Sequence, residues 1–296
     1  MPAVAARVRL APASWAFLAA GALAIGSYFL LPAHGDAQSI FYVVIGFSSV
    51  VAIYVGTVRN LPRGQRLAWQ LFAFGLLGQV AGDAIYAIYE VSLDREPPVP
   101  SIADAFYLGG YPLLALGVLL ILRKLGGQTS RAAILDTLVI FSGVALVQWV
   151  FFIDPYNHMP YSGEFSRLVS MAYPAVDVLL LVAFAQLLVG PGGRTRAYRL
   201  LLISIALWIV ADEVNGLNIN SYQGGSWIDA LWLGSYVIWA AAALEPSMAR
   251  IAVPDRRRLP RLTGTRSALK CVIACICSSS KTRKSSRVRP ATNRPL

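Results

Sequence analysis

Histidine is nearly missing from this chain, cysteine is confined to one end, and charge is scarce. Its only histidines are His34 and His158, and its three cysteines are Cys271, Cys275 and Cys277. Two separated imidazoles cannot build a His-rich metal centre, and three neighbouring thiols lack the fourth ligand of a zinc site. A disulfide framework outside that end is excluded. No GxxxxGKS/T, HExxH or GxSxG occurs, so phosphate-loop, zinc-protease and nucleophile-elbow chemistry lack their minimal residues. The Ser-Ser-Ser-Lys at 278–281 matches SxxK only within a low-complexity stretch. No metal, no cofactor and no enzymatic activity is expected.

Charged residues make up 14% of the sequence against 56% hydrophobic, and the mean hydropathy is +0.58. Soluble domains carry roughly 25% charged residues, so lipid is the expected solvent here. The net charge of +11 would invite a nucleic-acid reading, but its location argues against one. Residues 250–296 hold 13 Lys/Arg against a single acid, Asp255, whereas residues 1–249 carry a net charge of −1. The expected partner is the bilayer, with no nucleic acid.

Eight apolar runs follow, at about residues 15–31, 39–58, 67–89, 101–124, 131–153, 165–189, 197–215 and 227–244. Roughly 20 helical residues at about 1.5 Å each span the hydrocarbon core. The fold class is therefore an all-α integral membrane protein. Residues 1–14 form an N-terminal segment, 15–249 the bundle, and 250–296 a basic, disordered tail. An N-terminus placed inside puts 24 of the 26 Lys/Arg on the inner side, leaving Arg95 and Arg167 outside. That asymmetry predicts cytoplasmic ends and a multi-pass protein of the plasma membrane. Arg7 and Arg9 ahead of the first run also fit a cleaved signal peptide, but the run is long for one, so a retained helix is preferred.

The runs come in pairs. Gly46-Phe47-Ser48, Gly110-Tyr111-Pro112, Ala172-Tyr173-Pro174 and Ser235-Tyr236-Val237 recur at intervals of 64, 62 and 63 residues. Arg66, Arg131 and Arg196 recur at 65, and 17 residues beyond each lies a polar residue: Asp83, Gln148 and Glu213. Each unit reads as an αα-hairpin, joined outside, with all copies in one orientation and the first the most degenerate.

Six aspartates lie within or beside these runs: Asp83, Asp104, Asp136, Asp177, Asp212 and Asp229. A charge at the bilayer centre costs roughly 2.5–3.5 kcal/mol on insertion scales, so such groups face the bundle or a wet cavity. Asp104, Tyr107 and Tyr111 fall at i, i+3 and i+7 on one helical face, and Asp229, Trp232 and Tyr236 repeat the spacing. Ala105-xxx-Gly109 is echoed by Ala230-xxx-Gly234. With Asp83, Tyr86, Asp212 and Asn215 they fall towards outer helix ends, as an acidic and aromatic pocket for a cation or polar small molecule would require. The competing reading is structural: aromatics as an interfacial belt, aspartates as helix caps or interhelical partners. Asp177 lies midway along its run, one turn past Tyr173-Pro174, where proline frees the Ser170 carbonyl and permits a kink. Proton transfer and simple packing both remain open for it. Asp136 is expected to pair with Arg131 or Arg123, and Gly78-xxx-Gly82 to allow close helix contact.

The run from Pro100 to Gly117, with its Asp-Ala-Phe-Tyr-Leu-Gly-Gly-Tyr-Pro centre, resembles the membrane region of multi-pass actinobacterial signalling proteins. Leu135-Asp136-Thr137-Leu138, Ala172 to Asp177, Asp229 to Gly234, and Ala242-Ala243-Leu244-Glu245-Pro246-Ser247-Met248 fit the same pattern in the same order. In those proteins such a bundle precedes diguanylate cyclase and cyclic-di-GMP phosphodiesterase domains, or a kinase. The resemblance covers about residues 15–250 and implies a sensory or input module that signals to a cytoplasmic partner or through a homo-oligomer. The chain departs from it after Met248: Arg256-Arg257-Arg258 and a Ser/Arg/Lys tail stand where more helices and an output domain are expected. No cyclase signature is present, so cyclase activity is not carried over. The tail reads either as an altered frame of a truncated gene product or as a basic segment lying on the anionic inner leaflet. A small ion- or proton-coupled transporter is the alternative function, and a non-functional fragment a third possibility.

Overall fold

In the computed structural model, residues 12–32, 35–93, 95, 97–125, 131–189, 195–217 and 223–251 are described, and every regular element among them is helical. The eight principal helices are α1 (Pro12–Tyr28), α2 (Asp36–Asn60), α3 (Leu67–Leu93) and α4 (Ile102–Lys124). They continue as α5 (Arg131–Gln148), α6 (Glu164–Val189), α7 (Arg196–Leu217) and α8 (Trp227–Leu244). Six of them, α2, α3, α4, α6, α7 and α8, are long and apolar enough to cross a bilayer. Two shorter apolar stretches among the described residues, Ala13–Tyr28 and Leu138–Ile153, accompany them.

The six long helices close into a ring. α3 packs on α4, α4 on α6, α6 on α7, α7 on α8, α8 on α2, and α2 back on α3. α1 lies outside against α8, and α5 lies outside against α6. Hairpin pairing holds for α3–α4, α5–α6 and α7–α8; α1 packs mainly on α8 rather than α2, so the first hairpin is the least regular.

Lipid removes most of the hydrophobic drive between helices, so close approach and internal hydrogen bonds must hold the ring. Glycine provides the approach. A Cβ on Gly110 would come within 2.6 Å of Gln79 Nε2 and 2.7 Å of the Gly75 carbonyl oxygen, so α4 lies directly on the α3 backbone. Gly78 meets the Phe106 carbonyl and Gly82 the Tyr107 ring, as the Gly-xxx-Gly spacing requires. The echoed Gly109 and Gly234 are not contact points: Gly109 has no atom within 4 Å of an added Cβ, and Gly234 only Leu207 Cδ1 at 3.8 Å.

Two of the repeated arginines tie helix ends at the end opposite the aspartates. Arg66 donates from Nε to Leu61 O and from Nη2 to Val58 O, both at 2.8 Å, satisfying carbonyls that end α2. Arg196 lies 3.5 Å from Glu245 and stacks its guanidinium 3.9 Å from the Trp15 ring centroid.

The polar stretches after the third apolar run (Glu90, Asp94 and Glu96 around Pro97-Pro98) and after the fifth (Asp154 to His158) are expected from the sequence to be loops, and both begin helical instead. Glu90 belongs to α3, not to an acidic loop. Beyond Gln148 the chain makes a turn of π-helix, Trp149–Ile153, and stays helical over Asp154–Asn157. Pro155 has no N–H for the carbonyl one turn back, and the wider turn lets Asp154 N–H reach Trp149 O instead. The Asp136, Arg131 and Asn157-loop expectations divide: the helix through 131–148 is present, while the Asp136 and Arg131 side chains lie outside the described residues. So do residues 1–11, His34, Arg194 and residues 252–296 with the three cysteines.

Replacing Gly110 by alanine is expected to lower stability by about 1–3 kcal/mol through overpacking, whereas Gly109→Ala should not reduce it. Thermal unfolding of the two purified variants in detergent measures the difference.

Candidate functional site

The ring holds one large cavity among the described residues, of about 440 Å³, at the end where α1, α3 and α7 finish and α2, α4 and α8 begin. All nine residues singled out from the sequence line it: Asp83, Asp104, Tyr107, Tyr111, Asp177, Asp212, Asp229, Trp232 and Tyr236. Helix entry is what brings two of the acids there. Ser101 caps α4 and Asp104 closes the capping box, its Oδ2 accepting the Ser101 N–H at 2.6 Å. Ser226 caps α8 by accepting the Ile228 N–H, with Asp229 again three residues on but reaching back to the Gly225 N–H rather than closing a box. The aspartates are therefore third-position partners, and the serines are the caps. The Ser-x-x-Asp pattern at 101–104 and 226–229 is the sequence signal for this arrangement.

Asp83 and Asp212 form the centre. Asp83 Oδ1 accepts from Tyr107 OH at 2.9 Å and its Oδ2 from Tyr236 OH at 3.0 Å. Asp212 Oδ2 accepts from Tyr111 OH at 2.8 Å and its Oδ1 from Trp232 Nε1–H at 2.8 Å. The pattern is a reciprocal exchange between the α3–α4 and α7–α8 hairpins. In each hairpin the i+3 aromatic serves its own hairpin's acid, and the i+7 tyrosine crosses to the other's. Equal spacing in the two copies makes this possible, since one turn further along a helix carries the hydroxyl across the ring.

The other acids sit around this pair. Asp104 Oδ1 accepts from Tyr173 OH at 2.5 Å, linking α4 to α6. Asp229 Oδ2 accepts from Tyr28 OH at 2.6 Å and from Gly225 N–H at 2.7 Å. Gly225 has φ of 84°, and a Cβ there would lie 2.9 Å from Gln38 Oε1, so the position requires glycine on both counts. Glu90 Oε2 accepts from Ser39 Oγ at 2.8 Å at the rim. Asp177, on α6 beyond Pro174, lies beside Asp212 and Glu213, and Gln148 donates to Glu213 Oε1 at 2.6 Å. Among the described residues the lining includes six carboxyl groups, counting Glu90, and no Lys, Arg or His.

Magnitudes show that these bonds do not balance the charge. Interhelical hydrogen bonds in bilayers average about 0.6 kcal/mol, so two on one carboxylate offset about 1.2 kcal/mol. The insertion cost of a central aspartate is roughly 2.5–3.5 kcal/mol. Water, protons or a counter-charge in the cavity must supply the remainder. Below the cavity the ring is filled: Phe72, Leu114, Leu201 and Trp239 are fully buried, with Phe72 edge-on to Trp239 at 5.1 Å.

Sequence reasoning missed Tyr28, Gln38, Glu90 and Trp208, all on the cavity wall. Tyr28 is the last residue of α1, and nothing in its neighbourhood marks it as a partner for Asp229, 201 positions away. Asn218, Asn220 and Tyr222, part of the adjoining loop, lie outside the described residues.

No protein-family model matches the chain, and neither the curated proteins nor the solved structures include a match.

Phenylalanine at Tyr111 or Tyr236 removes a bond between hairpins and is expected to lower stability by about 0.6–2 kcal/mol. A double-mutant cycle of Tyr236→Phe with Asp83→Ala, which removes the acceptor, followed by chemical denaturation, should show that most of the Tyr236→Phe cost disappears once Asp83→Ala is already in place.

Proposed function

We propose that this multi-pass bundle is a sensory or input module, whose cavity receives a polar ligand and whose opposite end passes the change onward. The placement of α8 carries this reading. Its first turns bring Asp229, Trp232 and Tyr236 to the cavity, and its far end is tied down by a separate set of bonds. There Asn60 Nδ2 donates to Ala243 O at 3.0 Å, and Ser247 Oγ accepts the Ala197 N–H at 3.0 Å. Glu245 faces Arg196 at 3.5 Å, and Met248 Sδ accepts from Asn60 Nδ2 at 3.4 Å. A helix of 18 residues, about 27 Å long, thus joins the cavity to the opposite rim as one strut. A ligand that displaces Trp232 or Tyr236 biases the position of the whole strut, provided it binds one position better than the other.

The Leu244-Glu245-Pro246-Ser247-Met248 run that forms the far latch is also among the motifs resembling actinobacterial signalling proteins. That resemblance supports an input role. The positive-inside distribution supports a cavity facing outwards from the plasma membrane, with the latch on the cytoplasmic side. The recipient of the signal is then a cytoplasmic partner or a second copy of the chain, reached through the inner turns.

A small ion- or proton-coupled transporter is the second reading, favoured by Asp177, which sits midway along α6 beside Pro174 and next to Asp212 and Glu213. The packed floor weighs against it. At the opposite rim a crevice between Leu61, Trp69 and Met248 measures only about 20 Å³.

The module reading is tested at Ser247. In a background with the three native cysteines replaced, Ser247→Cys should react with a maleimide at a rate that Asp229→Asn or Trp232→Phe changes by about threefold or more. Equal rates in all backgrounds, together with flux through proteoliposomes that Asp177→Asn abolishes, would turn the assignment to transport. Reporter fusions after Arg199 should place that turn in the cytoplasm.

A further inference from the structure

We propose that the cavity's ligand is a protonated organic amine, a proposal that rests on the reading of this cavity as the receiving site. The first ground is sign. Asp83, Asp104 and Asp212 each take hydrogen bonds on both oxygens from neutral donors: tyrosine and serine hydroxyls, an indole N–H and a backbone N–H. These bonds fix the carboxyl groups in place and bring no positive charge to them, and no cationic side chain lines the wall among the described residues. An anionic ligand would meet repulsion from each of them that is ionised, and a cation would favour the ionised form.

The second ground is the wall material. Tyr, Trp and Phe side chains supply ten of the lining residues, and the carboxylates sit between them. Trp208 is the base of this arrangement, edge-on to Tyr236 at 5.4 Å and to Tyr111 at 6.3 Å. Aromatic faces beside carboxylates attract an ammonium through the ring quadrupole as well as through charge. They offer nothing comparable to a hydrated inorganic ion, and no group of side chains suited to hold a metal occurs among the described residues.

The third ground is unmet hydrogen bonding. Asn215 Oδ1 lies buried on the wall with no donor among the described residues, so it can accept from an N–H group of a bound ligand. A primary or secondary ammonium supplies that N–H and its charge together. A quaternary ammonium has no N–H to give. The volume of about 440 Å³ falls in the range of small-molecule sites, roughly 300–1,000 Å³, and exceeds what a bare ammonium ion needs.

The full chain in nanodiscs provides the test, with tyramine and spermidine as amine probes. 4-Propylphenol serves as the neutral counterpart and 3-(4-hydroxyphenyl)propionate as the anionic one. Equilibrium dialysis should show saturable binding of at least one amine, with the neutral and anionic analogues weaker by about tenfold or more. Asp83→Asn and Asp212→Asn, which keep side-chain size, should each weaken amine binding about tenfold while Asp154→Asn, on the exposed turn, leaves it unchanged. Should the Asp variants fail to elute as folded monodisperse protein, Asn215→Leu retains every carboxylate and should still weaken binding about fivefold. No saturable amine binding, equal binding of 4-propylphenol, or wild-type affinity in the variants overturns the proposal. Amine binding with no change in Ser247→Cys labelling keeps the ligand class and removes the sensory reading. A labelling change driven by the anion or the neutral phenol does the reverse.

Discussion

Inside a bilayer a carboxylate has no water to fall back on, so each one placed there must be met by donors from neighbouring helices or open onto a wet space. Asp83 and Asp212 are met by both routes, and much of the ring's geometry follows from that requirement. Each accepts one bond from its own hairpin and one from the opposite hairpin. Helices that would otherwise share only apolar contacts, no stronger than those with lipid tails, are thereby given a defined partner and register.

The same requirement explains the contrast between the two ends. One end gathers acids whose partners are hydroxyl, indole and backbone groups, and these hold the side chains off one another around open space. The other end is closed by interlocked aromatic and aliphatic side chains and tied by the Arg66 and Arg196 contacts to helix termini. Polar donors in fixed positions keep a cavity; apolar side chains free to interdigitate fill one. α8 belongs to both ends: its first turns line the cavity, and Ala243 near its last turn accepts from Asn60.

Several local features show where tertiary context overrode expectation. Glu90 looked like part of an acidic loop because Asp94, Glu96 and two prolines follow it, yet α3 runs to Leu93 and its last turns present Glu90 to Ser39. The polar 154–157 segment stays helical because the π-turn before it absorbs the missing Pro155 donor. Among glycines of similar appearance, Gly110 is a contact point and Gly109 is not. Neighbours one residue apart on a helix point about 100° apart, and only the packing partner decides which direction is crowded.

Apolar run length, the distribution of arginines and the 62–65-residue recurrence were enough to give an all-helical membrane bundle in hairpins, because the bilayer imposes length and polarity on every crossing independently. The i, i+3, i+7 spacing also put Asp104, Tyr107 and Tyr111 on one face, and likewise Asp229, Trp232 and Tyr236, since that is a property of one helix alone. Which acid each aromatic serves was decided only by the ring: Tyr111 reaches Asp212, 101 positions away, and Tyr28 reaches Asp229, 201 positions away. Periodicity within a helix says nothing about which helix lies opposite, and that choice comes from the closure of six helices at once.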